Sequence, residues 1–548
     1  MNYLKDYVLK YKKLISVSCV LFVFLISYYR VPFLFFQQDE ILGLGLFIQK
    51  GWSTILSGLG NSNITHFVPL TMGLSYFIYH FFGANYFIYN SVGLLFHSLN
   101  GYLIYLICEK TLKNKTSAII GSLIFFSSSV ASELVMWPVI NLNTVSLTFA
   151  LIAWLLAVDS KRIWLISILF LFSVFSVEYS IGISLFLPLL IYLNSKETIK
   201  QKISYLKPFF GTVIIYFLLR FLPIIFKNVS SLGTVEGSSI NLCFVEIILL
   251  VPRYLGQLFF GQKILLSTST FLQHLLGLER YGTAFSETNI YPILSMSIGV
   301  IFIFILAVFL NKKDIIEKNY RKNLVLGFLF IIFSALPFVL VPGGVGLSNI
   351  SSRYMYFGLA GMAFFMSTVF DILKSNYSKK IYRISLLALF VLIGLSSIQN
   401  YNKADGLYRM GVQRQKILNQ IITTYPNLFD KTIFFVQSDS SYYGLPEEIK
   451  TLPFQSGLGQ TLLVFYSQKD KLPKEFYPGE YLWEIDSQGY YESGNRGFGF
   501  YRDFGLLKET LDKFDLESNS VVAYYWNGKL NELSDVTYEI RLKLENEQ

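Results

Sequence analysis

The stretch PILSMSIGVIFIFILAVFL, residues 292–310, runs nineteen positions without a charge and is closed by Asn311, Lys312 and Lys313. At 1.5 Å of rise per residue a helix of that length nearly spans the ~30 Å hydrocarbon core of a bilayer. Working outward, the same pattern recurs in Leu14–Ser27, Tyr86–Ile107, Phe209–Phe226 and Asn323–Val341. A buried soluble core does not need so many apolar runs of that length. The 548 residues are 53% hydrophobic and 15% charged, whereas soluble chains carry about 25% charged residues. The chain reads as a polytopic α-helical membrane protein.

The spacing predicts about eleven spans: 14–29, 86–108, 117–131, 144–158, 163–177, 181–193, 209–226, 292–310, 323–341, 354–371 and 384–398. Charge orients them. Residues 1–13 and the loops 109–116, 159–162, 194–208, 311–322 and 372–383 together hold 22 Lys and Arg, against seven in the opposite loops. Positive residues accumulate on the cytoplasmic side, which places the N-terminus inside. The basic flank Lys10, Lys12 and Lys13 would also suit a signal peptide. The run it precedes ends on Tyr28, Tyr29, Arg30, Val31 and Pro32 with no small-residue cleavage site, so it reads as an uncleaved first span.

The formal charge of +10 hides two halves. Residues 1–400 carry 30 basic and 15 acidic residues, and residues 401–548 carry 16 and 21. The basic excess belongs to the loops between spans, so it does not point to nucleic acid. An odd number of spans puts residues 401–548 outside. There helix-like segments (406–424, 504–514) alternate with strand-like ones (432–436, 521–526), as in a small extracytoplasmic α/β domain. Residues 1–400 form the membrane domain, with long outer loops at 30–85 and 227–291. Their apolar stretches Val68–Phe82 and Phe244–Phe260 read as interfacial helices. Three cysteines without a CxxC pair and four histidines without HExxH spacing suggest neither a disulfide framework nor a zinc site.

Ionisable groups beside spans are costly and count as functional candidates. Asp39 and Glu40 follow the first span. Glu133 and Glu178 are each the only acid in an apolar stretch, at the same expected outer level. Arg220 lies inside an apolar run, and Arg353 opens Arg353-Tyr354-Met355-Tyr356. A guanidinium fork matches phosphate oxygens, although snorkelling to headgroups is the commoner explanation of a lone arginine. His66 precedes the helix at Val68–Phe82, whereas His97 is mid-span and reads as a packing residue.

The order of these segments resembles the GT-C superfamily of membrane glycosyltransferases, and within it the protein O-mannosyltransferase-like branch and the TPR-bearing transmembrane O-mannosyltransferases. Asp39-Glu40 is similar to the family's acidic motif after the first span. His66-Phe67-Val68-Pro69-Leu70-Thr71, Phe81-Phe82-Gly83 and Leu94–Asn100 resemble its outer helix and second span. Glu133 with Trp137 is similar to its Glu-x-x-x-Trp, Ser176-Val177-Glu178 to its Ser-Lys-Glu, and Ser352–Tyr356 to its Arg-Tyr-Leu-Tyr. Val177 stands where the family places Lys, and Val68 where relatives often place Arg or Pro. Asn141 and Asn143 lie in a stretch usually richer in charge. These departures bear on sugar and acceptor specificity. No TPR array occurs in residues 401–548.

The resemblance implies a polyprenyl-phosphate sugar donor and transfer, with inversion, to a hydroxyl of a protein, lipid or glycan outside the cytoplasm, at a bacterial-type plasma membrane. Asp39 would then take the acceptor proton, with Glu40 as the other candidate carboxylate. Arg353 and Arg220 would offset the charge of the leaving phosphate. Glu40, Glu133 and Glu178 could orient hydroxyls or hold a divalent cation, with His66 and Tyr354 lining the site. A lipid-linked glycan polymerase or ligase would share the donor chemistry but needs a more basic outer loop than 227–291. A transporter would show repeated halves, and a non-catalytic scaffold would be insensitive to change at Asp39.

Overall fold

Where no water reaches the backbone, an apolar run must satisfy its own N–H and C=O groups, and the helix does so within one segment. In the computed structural model of the protein each of the eleven expected spans coincides with a helix, beginning with Lys12–Tyr28, Tyr86–Leu112 and Lys115–Ser127. The structure describes residues 12–37, 39–56, 67–159, 162–194, 198–226, 244–276, 290–311, 316–340, 350–441 and, with short interruptions, 448–547. Among these, five helices are long and apolar enough to cross a membrane: Tyr86–Leu112, Ile290–Asn311, Lys318–Phe338, Ser352–Asn376 and Lys379–Thr424. Shorter apolar helices accompany them, among them Thr144–Ala157 and Ile163–Ser176. The protein is a polytopic α-helical membrane protein with a small C-terminal α/β domain.

The chain forms two compact units. The first comprises residues 1–31, 55–72 and 91–404. Its central helix is Ser352–Asn376, 83% of whose apolar window is buried, compared with 22% for Ile290–Asn311. The core is aromatic. Trp154 is 2% exposed, stacks on Phe330 at 4.6 Å and meets Phe186 and Phe364 edge-on at 4.8 and 5.2 Å. His97 is fully buried and shares a 2.8 Å hydrogen bond with the Tyr356 hydroxyl, so it packs as its mid-span position suggested. At the other end of the central helix, buried Asp371 accepts hydrogen bonds from Ser117 Oγ at 3.0 Å and from the Asn114 amide. Asn114 in turn caps Lys115–Ser127 by accepting from the Thr116 N–H. This polar knot ties the start of Lys115–Ser127 to the central helix where apolar packing alone would leave the register free.

Phe244–Phe260, expected at the interface, is a helix with those bounds. It crosses Ile290–Asn311 at a mutual pair of glycines. A Cβ on Gly256 would stand 1.9 Å from the Ser295 carbonyl oxygen, and one on Gly299 would stand 1.8 Å from that of Pro252. Small residues let membrane helices approach this closely. Gly299→Leu is therefore expected to lower the melting temperature of the detergent-solubilised protein, since overpacking typically costs about 1–3 kcal/mol. Gly211→Leu, where a Cβ meets nothing within 4 Å, should leave it unchanged. Equal melting of the two variants would refute the tight crossing.

The second unit gathers residues 32–54, 73–90 and 405–548. Its five-stranded sheet has the order β2-β3-β1-β4-β5, with β1 Lys431–Ser438, β2 Gly489–Ser493, β3 Arg496–Tyr501, β4 Val521–Asn527 and β5 Glu532–Asp535. β1 runs parallel to both β3 and β4, and the edge strands are antiparallel. Alternation along β1 sends Ile433 and Phe435 to one face, against Leu507, Leu511 and Leu544. Phe434 on the other face stacks on Tyr466 of the helix Leu458–Tyr466, at 5.8 Å. That helix also receives Asp39–Lys50, whose Gly45 leaves room for Gln460 and Val464. The segment after the first span, expected as part of the outer loop 30–85, is therefore a helix docked in this unit.

Candidate functional site

Glu133 lies in the short helix Ala131–Val135 of the first unit and reaches the turn that opens the central helix. Its carboxylate accepts from Ser351 Oγ at 2.6 Å and from the Arg353 backbone N–H at 3.2 Å. Two hydrogen bonds to one carboxylate fix the loop that presents the Arg353 side chain. The guanidinium carbon sits 5.3 Å from the Trp137 ring centre and 4.8 Å from that of Tyr354. Nη2 donates to the Tyr354 hydroxyl at 3.1 Å. Nε is buried with no hydrogen-bond partner among the described residues. Buried donors are almost always paired, so an unused Nε beside an aromatic clamp marks a place where an acceptor could bind.

Further cations stand nearby. Lys403 Nζ donates to Ser132 Oγ at 3.2 Å and lies within electrostatic reach of both Glu133 and Lys263. Gln262, next to Lys263, accepts from Ser352 Oγ at 3.3 Å. Lys403 thus stands between the Glu133 carboxylate and a second ammonium, Lys263, beside the turn that presents Arg353. Neither lysine emerged from the sequence as a site residue. Lys403 follows the last expected span, and hydropathy places it in the C-terminal domain, whereas the helix Lys379–Thr424 carries it onward without a break. Lys263 registers in the sequence only as a loop charge.

Glu178 opens the turn Glu178–Gly182 and accepts from the Phe67 backbone N–H. The Tyr216 hydroxyl also hydrogen-bonds to it, and Arg220 stands within electrostatic reach of Tyr216. Thr71 Oγ1 donates to the Ser176 carbonyl at 2.7 Å, and the Phe67 ring lies 6.1 Å from that of Tyr216. Glu178 therefore anchors the 67–71 segment. Tyr179 joins the two carboxylate nodes. Its ring meets Tyr354 edge-on at 5.9 Å, and its hydroxyl feels both Arg353 and Glu133. The structure brings Glu133, Glu178, Arg353, Tyr354 and Arg220 into one connected region. His66 lies outside the described residues.

Asp39 and Glu40 belong to the second unit, in the first turn of Asp39–Lys50. Glu40 is 5% exposed, and its Oε2 accepts from the Gln37 N–H at 3.2 Å. That bond back across the helix start gives Glu40 a capping role. Asp39 is partly exposed. It lies about 120° round the helix from Gly45, which docks on the sheet domain, and one turn from Gly43. A Cβ on Gly43 would meet nothing within 4 Å. The partial positive charge of a helix N-terminus favours carboxylates there. Among the described residues no group of three His, Cys, Asp or Glu side chains could hold a metal ion.

No family model matches the chain, and no curated protein matches it. Solved structures do, among them two of ArnT from Cupriavidus metallidurans. The one bound to undecaprenyl phosphate is 10% identical at a TM-score of 0.33, over 94% of this chain and 92% of that one. The apo form is 9% identical at 0.32, over 95% and 93%. Likeness at that level establishes neither a shared site nor a shared activity.

Proposed function

We propose that the protein is a GT-C-type glycosyltransferase that moves a sugar from a polyprenyl-phosphate donor to an acceptor hydroxyl outside the cytoplasm, with inversion at the anomeric carbon. The observation that carries this reading is the group of basic side chains, Arg353, Lys403 and Lys263, on the segments that meet near Glu133. The Arg353 backbone N–H and Lys403 approach Glu133, Lys263 lies within electrostatic reach of Lys403, and the Arg353 guanidinium is held between Trp137 and Tyr354, within a unit built of membrane helices. A lipid phosphate is an anion delivered to such a unit from the bilayer. The carbon–oxygen bond to phosphate breaks as the acceptor oxygen attacks, and the electron pair leaves on the phosphate. Preorganised cations at that oxygen stabilise the departing charge. Asp39 takes the acceptor proton. Glu133 orients Arg353 through the backbone, and Trp137 and Tyr354 hold its guanidinium in plane.

Binding tests the donor half of this reading. Purified protein is expected to melt at a higher temperature with a polyprenyl monophosphate than with the corresponding uncharged polyprenol. Ligand at 100 times its Kd stabilises by about 2.7 kcal/mol. Equal melting with both lipids would remove the phosphate site from the account.

A further inference from the structure

We infer that the C-terminal domain is the positioning device for the Asp39 helix, setting the base through the contact of Gly45 with Gln460. This rests on the reading of Asp39 as the base. The helix Asp39–Lys50 has the sequence DEILGLGLFIQK, and its two glycines make it a poor helix in isolation. At twelve residues it is also near the length at which isolated helices are marginal in water. Its order must come from packing, and the packing partner lies in residues 405–548.

Three contacts supply it. Ile41, Leu44 and Gly45 form a buried stripe at helical spacing. A Cβ at Gly45 would stand 3.2 Å from Gln460 Nε2, 3.8 Å from Tyr477 Cδ1 and 3.9 Å from Val464 Cγ2, so only a bare Cα fits without a neighbour giving way. Upstream, the Phe35 ring lies 6.1 Å from Phe465. A Cβ on Gly411 would come within 3.1 Å of the Phe35 backbone and side chain. The approach to the helix and its middle are thus both pinned to the C-terminal domain, while Asp39 occupies the face away from the Gly45 contact. A carboxylate must sit within hydrogen-bond reach of the proton it removes, and a displacement of about 1 Å can cost about 10²-fold. The docking contact therefore bears on turnover, although no residue in it touches substrate.

The test is Gly45→Leu alone and combined with Gln460→Ala, in the full chain reconstituted in proteoliposomes, with kcat and donor KM measured separately. Gly45→Leu is expected to lower kcat at least tenfold with donor KM within about twofold, because a donor held at Arg353 is not displaced. Gln460→Ala removes the colliding amide and should restore much of kcat in the double variant. Unchanged kcat in a folded Gly45→Leu would overturn the inference and leave the proposed activity standing. So would a parallel loss in kcat and melting temperature that Gln460→Ala does not rescue. Absence of transfer by the wild type across a broad donor panel would overturn the activity, and this inference with it.

Discussion

Asp39→Asn is expected to lower kcat for sugar transfer by about 10²–10⁴-fold, the range a positioned general base contributes. The substitution keeps the side-chain volume and one acceptor oxygen but removes the basicity. Donor binding should stay within about twofold, because the groups proposed to hold the phosphate belong to the first unit. Glu40→Gln is the internal comparison. Glu40 spends one oxygen on the Gln37 N–H, and a glutamine carbonyl can accept the same bond. That variant should fold and retain most of its turnover. If Glu40→Gln were the inactive variant and Asp39→Asn the active one, the base would move to Glu40. The capping role of Glu40 would then be secondary.

The second large effect is expected at Arg353. Its guanidinium lies over two aromatic rings and keeps a buried Nε without a partner among the described residues. Arg353→Gln removes the charge while keeping a polar side chain of similar reach. Loss of one donor to developing negative charge typically costs about 10²–10³ in kcat. Stabilisation of the protein by polyprenyl monophosphate should fall in the same variant. Arg353→Lys should recover only part of the loss, because an ammonium restores charge without the planar fork. Full recovery by lysine would show that net charge alone matters and that the Trp137–Tyr354 clamp does not. Retention of phosphate binding by Arg353→Gln would shift the anion to Lys403 and Lys263.

Much of the membrane unit was legible because hydropathy reports a physical necessity. Apolar runs of span length have few alternatives to helix, and every expected span proved to be one. Phe504–Phe514 was equally readable: Asp503 caps it, and Leu507 and Leu511 fall at helical spacing on its buried face. Helix ends beyond the membrane were less so. Hydropathy marks where a helix leaves the bilayer, not where it stops. The span expected at 384–398 therefore lies in the first half of Lys379–Thr424, and Lys403 went unread as a site residue for that reason. Asp39–Lys50 was hidden differently. Two glycines in twelve residues argue against a helix locally, and only packing against Gln460 and Val464 overrides that preference. The carboxylates and Arg353 were visible as costly charges among apolar residues. Ser351, which donates to Glu133, and Ser132, which accepts from Lys403, were not, because an isolated serine gives no signal before the fold brings it to a carboxylate or a lysine.

The most direct test of the central claim is transfer of labelled sugar in proteoliposomes supplied with polyprenyl-phosphate sugars and an envelope acceptor fraction, with the anomeric configuration of the product determined. Label is expected in the acceptor with the configuration inverted relative to the donor, polyprenyl monophosphate is expected to be released in equal amount, and both signals should be lost in Asp39→Asn. Retained configuration, release of a pyrophosphate, or equal transfer by wild type and Asp39→Asn would contradict that claim.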